Sequence, residues 1–257
     1  MANSKKPSLK KKAEKGGNNK YNRKLMLALW GIGMAVWVGV ALFAMQFILS
    51  FVLGLILPKE ALTSNITNAA YQVVVYALSL VVVIFVPWKL LKMKTTREEL
   101  GLRGLPTWTD LLLAPIGLIV TLLVSAALTA LMMLIIPGDE IWRQEQVVGY
   151  SNLYQFSDFL MAFVCLVILA PFCEEVLFRG WLYGKLRFKM PAVPAILIVS
   201  LLFGVMHGQL NVGVTVFAMS IGMCVMRELT GTIWGGVLLH MLKNALAFYF
   251  LFVVGVG

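Results

Sequence analysis

Charge is what this chain has least of. Only 13% of its 257 residues are charged, against 60% hydrophobic, and the mean hydropathy is +0.86. Soluble globular domains carry about 25% charged and 45–50% apolar residues, so this balance excludes a soluble enzyme and predicts a polytopic membrane protein. Cysteine is nearly as scarce. Cys165, Cys173 and Cys224 lie apart in apolar runs, which rules out a disulfide framework or a cysteine-ligated zinc site and predicts three small buried hydrophobes. Cys173 adjoins Glu174, but on a helix it is turned about 100° away, which argues against a thiol protease. No internal repeat is apparent, so a transporter built from duplicated halves gains no support. A cleavable signal peptide is excluded too. The first apolar run, Leu25 to Leu57, far exceeds a 7–15-residue signal core and ends in Pro58-Lys59, which predicts an uncleaved first span.

What is present is a series of apolar windows at about 26–56, 67–90, 110–136, 158–187, 192–207, 211–228 and 231–255. Each is near the roughly 20 residues a helix needs to cross a bilayer. The fold class expected is an all-α polytopic membrane protein, a bundle of about seven transmembrane helices enclosing an intramembrane catalytic cavity. Two regions are expected: a disordered basic tail over 1–24 and a helical domain over 25–257. The tail holds nine Lys/Arg against Glu14 alone, +8 of the net +10. A juxtamembrane segment of this kind attracts anionic lipid, and no nucleic-acid partner is expected. Basic residues recur in alternate connections, at Lys92 to Arg103, at Lys185 to Lys189 and at Arg227, which places the N-terminus in the cytoplasm. The expected location is a prokaryotic plasma membrane. Segment 137–157, with Asp139, Glu140, Trp142 and Tyr150, is expected as an interfacial cover on the opposite side.

The run Ala170-Pro-Phe-Cys-Glu-Glu-Val-Leu-Phe-Arg179 breaks the apolar pattern. A charge at membrane depth costs roughly 2.5–3.5 kcal/mol even on insertion scales, so two glutamates and an arginine there need a purpose. On a helix Glu175 and Arg179, four apart, share a face and are expected to pair. Glu174 is turned away and is left available as a base. A purely structural ion-pair cluster explains the same three residues. The histidine count bears on that choice: the chain has two, His207 and His240, both in apolar runs. His207 follows Phe203 and Gly204, where glycine permits close helix approach. His240 precedes Asn244 by one turn, with Lys243 between them, free to approach the site, to pair with Glu228 or Glu175, or to snorkel away. Counted from the expected membrane surface at 1.5 Å per residue, Glu174, His207, His240 and Asn244 fall within one layer about 10 Å thick. A base, two imidazoles and an amide donor make a hydrolytic set.

Glu174-Glu175-x-x-x-Arg179, Phe203-x-x-x-His207 and His240-x-x-x-Asn244, in this order, resemble the three motifs of the CPBP intramembrane proteases. That group contains type II CAAX prenyl endopeptidases and bacterial bacteriocin-processing and immunity-type (Abi-like) proteins. The resemblance covers about residues 158–250, and Thr96-Arg97-Glu98-Glu99-Leu100-Gly101-Leu102 is similar to the family's basic loop. It implies that Glu174 activates water with His207, that His240 and Asn244 stabilise the oxyanion, and that Glu175 and Arg179 support them. The implied function is an intramembrane endopeptidase acting on a membrane-associated peptide or protein substrate, a prenylated CAAX-type or leader peptide. No resident metal is favoured, since no His-Glu-x-x-His spacing is present. Zinc held by Glu174, His207 and His240 is the alternative. Two other readings stay open: a non-proteolytic scaffold, immunity or regulatory protein of the same family, and a proton-coupled transporter, which also places Glu, His and Lys in the membrane.

Overall fold

The computed structural model of the protein describes residues 9–144, 148–150 and 153–255, with side chains from Asn22 onward. The chain is all-α among these residues. Seven principal helices follow one another: α1 (Leu9–Ile56), α2 (Asn65–Leu91), α3 (Trp108–Ile135), α4 (Phe156–Lys189), α5 (Ala192–Val205), α6 (Leu210–Thr230) and α7 (Trp234–Val254). Six are long and apolar enough to cross a membrane, α1 doing so from Asn22 on. The seventh, α5, has 14 residues. At 1.5 Å per residue it spans about 21 Å, short of the roughly 30 Å hydrocarbon core. α1 starts at Leu9, inside the segment expected to be an irregular basic tail, of which residues 1–8 lie outside the described residues. Lys, Ala and Glu are good helix formers, and extending an existing helix outward is far easier than nucleating a new one.

Local chemistry sets the helix ends. The Ser64 hydroxyl accepts from the Thr67 amide at 3.1 Å and caps α2. Thr107 and Asp110 form a reciprocal capping box at the start of α3, and Asp110, fully buried, also accepts from the Thr232 hydroxyl at 3.1 Å, which ties α3 to the turn before α7. α6 ends at Gly231, whose φ of +71° is a left-handed cap open to glycine.

The outer faces of α1, α2 and α3 present exposed Ile, Leu, Val and Phe, such as Phe47, Ile66 and Leu123, as a lipid-facing bundle should. The core gathers α4, α5, α6 and α7 around Phe178, Trp181, Leu186, Val199, Met223 and Leu239. α6 packs most extensively on α5 and α3. Between α5 and α6, Gly204 and Gly213 meet so closely that a Cβ on either would stand 2.9 Å from the other's carbonyl oxygen, which is the close approach expected at Gly204. At one end of the bundle Lys94, Arg103, Lys185, Arg187, Lys189 and Arg227 surround a cavity of about 630 Å³. The 96–102 loop belongs to this end. Glu99 pairs with Lys185 at 2.8 Å, and the loop backbone lies on Gly180 and Gly184, whose missing side chains leave room for the Leu100 and Glu99 carbonyls. At the other end the cover between α3 and α4 carries one short helix, Asp139–Trp142. There the Asn211 amide donates to the Gln144 carbonyl at 2.8 Å, and Asn68 donates to that of Gly149 at 2.5 Å. Residues 145–147 and 151–152 of the expected interfacial segment lie outside the described residues.

Candidate active site

α4 is not a uniform α-helix. Val164–Leu169 and Val176–Leu182 are π-helical, and the α-helical stretch between them, Ala170–Glu175, holds the two glutamates. π turns are rare and concentrate at functional sites because they re-aim side chains without ending the helix. Here they frame the acidic pair. Glu175 is fully buried, whereas the Glu174 side chain is 20% exposed and lines a cavity of about 670 Å³.

Glu175 and Arg179 pair as expected, with the Arg179 guanidinium donating to Glu175 Oε1 at 2.7 Å and both side chains at 0% exposure. The guanidinium carbon also lies 4.4 Å from the centre of the Phe203 ring. His240 Nδ1 reaches the same Oε1 at 3.2 Å. A carboxylate only accepts, so Nδ1 carries the proton in that contact, and Nε2 is the atom turned to Glu174, 3.9 Å from its Oε2. Glu175 therefore orients an imidazole besides neutralising an arginine. Its Oε2 owes its space to Gly236, where a Cβ would stand 2.9 Å away.

His207 departs from expectation in one respect. It lies not inside a helix but in the turn that ends α5, its amide donating to the Gly204 carbonyl at 3.2 Å and followed by Gly208 at φ +71°. Glycine at the left-handed position stops the helix, and the turn carries the imidazole to the edge of the cavity. His207 Nδ1 donates to the Phe203 carbonyl at 2.8 Å, which leaves Nε2 as the lone-pair nitrogen of the neutral ring. Phe203 is the wall common to both histidines, with ring centres 5.0 Å from His207 and 5.8 Å from His240.

Asn244 also lines the cavity, and one of its two amide hydrogens is engaged at 2.8 Å by the carbonyl of Leu166, within the first π-helical turn. Glu174, His207, His240 and Asn244, inferred from three separate stretches of sequence, thus border one space. The 96–102 loop does not border it. Cys173 is buried away from it, and all three cysteines are free.

One neighbour was missed. The Tyr76 hydroxyl, from α2, donates to Glu174 Oε1 at 2.6 Å. A signal existed: Gln46, Gln72 and Tyr76 interrupt apolar runs, the last two one helical turn apart, and all three border the cavity. A polar stripe on a membrane helix faces the interior, but nothing in α2 says which group it meets.

Two histidines and a glutamate are chemically a catalytic zinc set, with donors about 2.0–2.2 Å from the metal and therefore roughly 3.3 Å apart in a tetrahedron. Of these donors, Glu174 Oε2 and His240 Nε2 stand 3.9 Å apart. No group of three His, Cys, Asp or Glu side chains able to hold a metal ion is gathered among the described residues.

The chain matches no curated protein and no solved structure. Residues 156–246, which run from the start of α4 into α7, match the family described as type II CAAX prenyl endopeptidase Rce1-like, a peptidase family. Both glutamates, Arg179, the two histidines and Asn244 fall inside that stretch, so the part of this polytopic membrane protein that resembles the Rce1-like type II CAAX prenyl endopeptidases is the part that holds the site.

Proposed function

We propose that this protein is an intramembrane endopeptidase that hydrolyses a membrane-associated peptide, prenylated and CAAX-type or a leader peptide, through a water activated by Glu174. The observation that carries this is the convergence of Glu174, His207, His240 and Asn244 on one cavity within the helical bundle. Tyr76 occupies Glu174 Oε1, so Oε2 is the oxygen available to take a proton from water. His207, with Nδ1 committed to the Phe203 carbonyl, shares in polarising that water through Nε2. The hydroxide oxygen attacks the scissile carbonyl carbon. The carbonyl electron pair moves to oxygen, where the second Asn244 hydrogen and a His240 protonated on both nitrogens, donating from Nε2, stabilise the charge. The tetrahedral centre then collapses, the C–N bond breaks, and the proton held by Glu174 passes to the leaving amine. A preorganised donor of this kind lowers the barrier by about 2.7–4 kcal/mol. Aromatic and aliphatic walls, among them Phe178, Phe248 and Phe252, suit an apolar substrate group arriving from the bilayer. The basic residues at one end of the bundle support an orientation with the N-terminus and the 96–102 loop in the cytoplasm and the basic tail against anionic lipid.

Purified wild type, Glu174→Ala and His207→Ala are to be compared on a quenched prenylated CAAX-type peptide and a membrane-peptide library, with folding checked for each. Cleavage abolished by both substitutions is expected; cleavage indifferent to them would sink the assignment. Glu174→Ala that still complements a cellular phenotype would point to a scaffold, and proton-dependent solute uptake without proteolysis to a transporter. The reaction as written uses no metal. Purified protein is expected to hold well under one equivalent of zinc and to keep its activity in chelator, and stoichiometric zinc lost together with activity would overturn this. Tyr76→Phe removes a hydrogen bond to a charged acceptor, worth roughly 1.5–3 kcal/mol. We expect kcat to fall by about tenfold or more with KM little changed, since the hydroxyl orients Glu174 and does not hold substrate. A pure KM effect would contradict that role.

A further inference from the structure

Lys243 sits on α7 between His240 and Asn244 and borders the same cavity as Glu174. It pairs with neither Glu228 nor Glu175. Glu228 is held bidentately by Arg187, at 2.7 and 3.2 Å, and Oε1 of Glu175 by Arg179 and His240, with Oε2 standing against Gly236. Lys243 makes no hydrogen bond or ion pair among the described residues. The fully buried acidic and basic side chains among the described residues are tied to a partner, as Arg179 is to Glu175 and Asp110 to Thr107 and Thr232. An ammonium on a membrane helix, beside the reacting groups and without a bonded anion, is costly unless something supplies one.

The ligand that enters this cavity is the remaining source. We propose that Lys243 forms a carboxylate-binding subsite, in which its Nζ holds an anionic carboxylate of the peptide a short distance from the scissile bond. This rests on the endopeptidase reading and deepens it, by assigning the site a charge requirement in its substrate. Two sources share the chemistry: the α-carboxylate of a substrate cut near its C-terminus, and an Asp or Glu side chain beside the cut. The cavity wall also carries Glu174, already bonded to Tyr76, and Asn244, bonded to the Leu166 carbonyl, while Leu166, Ala247 and Phe248 add no acceptor side chain.

The test uses full-length protein in lipid nanodiscs and two pairs of fluorescent farnesylated tetrapeptides. One pair differs only in a C-terminal acid against a C-terminal amide; the other, amidated throughout, carries Glu against Gln next to the central bond. Both binding, by anisotropy, and hydrolysis are read. The expected result is a ten- to hundredfold preference for the carboxylate member of one pair, in Kd and in KM, the range of a hydrogen bond to a charged group. The preferred pair names the source. Lys243→Met should bring the preference close to unity, and Lys243→Arg should retain it. A merely structural lysine would lower binding of both members alike and leave the ratio intact. Equal treatment of both pairs by wild type, failure to bind any of the four, or a preference that survives Lys243→Met, each overturns the proposal, and the wild-type comparison does so even if a variant fails to fold. Carboxylate-selective binding without hydrolysis would keep the subsite and sink the endopeptidase. Glu174-dependent hydrolysis of acid and amide at equal rates would do the reverse.

Discussion

Glu174→Gln is expected to lower kcat for peptide hydrolysis by about 10²- to 10⁴-fold, the usual contribution of a general base, while the protein unfolds at nearly the wild-type temperature. Glutamine has the volume of glutamate and still offers an oxygen to the Tyr76 hydroxyl, which now donates to Glu174 Oε1 at 2.6 Å. What it lacks is a site basic enough to take a proton from water. Glu174 is the half-open member of the acidic pair, so its replacement disturbs little packing, and KM should stay within a few-fold of wild type. Steady-state kinetics on the quenched prenylated peptide, beside a thermal unfolding curve in detergent, separates the outcomes. Unchanged kcat would remove Glu174 from the reaction. A fall in kcat accompanied by a large loss of thermal stability would instead make it a structural member of the cluster.

The opposite signature is expected at Arg179. Arg179→Met leaves Glu175 as an uncompensated charge at 0% exposure, and breaking a buried pair from one side destabilises by roughly 3–5 kcal/mol. The stacking of the guanidinium on Phe203 at 4.4 Å is lost as well. Activity should fall too, because Glu175 Oε1 is also the acceptor of His240 Nδ1, and a carboxylate that has lost its arginine will shift or become protonated. The double variant Glu175→Gln, Arg179→Met removes both charges and should recover most of the stability. It should not restore the rate, since a neutral amide holds the imidazole less firmly than a carboxylate does. Equilibrium unfolding of both variants checks this. A single variant as stable as wild type would show that the buried pair does not stabilise the bundle.

Both expectations start from residues that stand out before any folding, because a charge or an imidazole at membrane depth is conspicuous against an apolar background. Helical spacing alone then pairs Glu175 with Arg179 and separates Glu174 from both. The fold class follows from the same background, since a backbone in lipid must satisfy its hydrogen bonds within each segment and so is helical. Spacing could not follow α4 in detail. Its π-helical turns depend on neighbouring elements, such as the Asn244 amide that reaches the Leu166 carbonyl at 2.8 Å.

Three features were settled only by packing. Tyr76 reaches Glu174 across 98 residues of sequence, so no local pattern joins them. Lys243 pairs with neither Glu228 nor Glu175 but borders the cavity of Glu174, while Arg187 and Arg179 hold the other two carboxylates. His207 reaches the cavity from a turn because α5 stops at Val205, with Gly204 pressed against Gly213. The chemical cast of the site and the helical character of the chain were determined by the sequence itself, through scarcity of charge and the fixed period of the helix. Which groups touch was decided by tertiary structure, because hydrogen bonds and ion pairs depend on distances of about 3 Å that only the packed helices set.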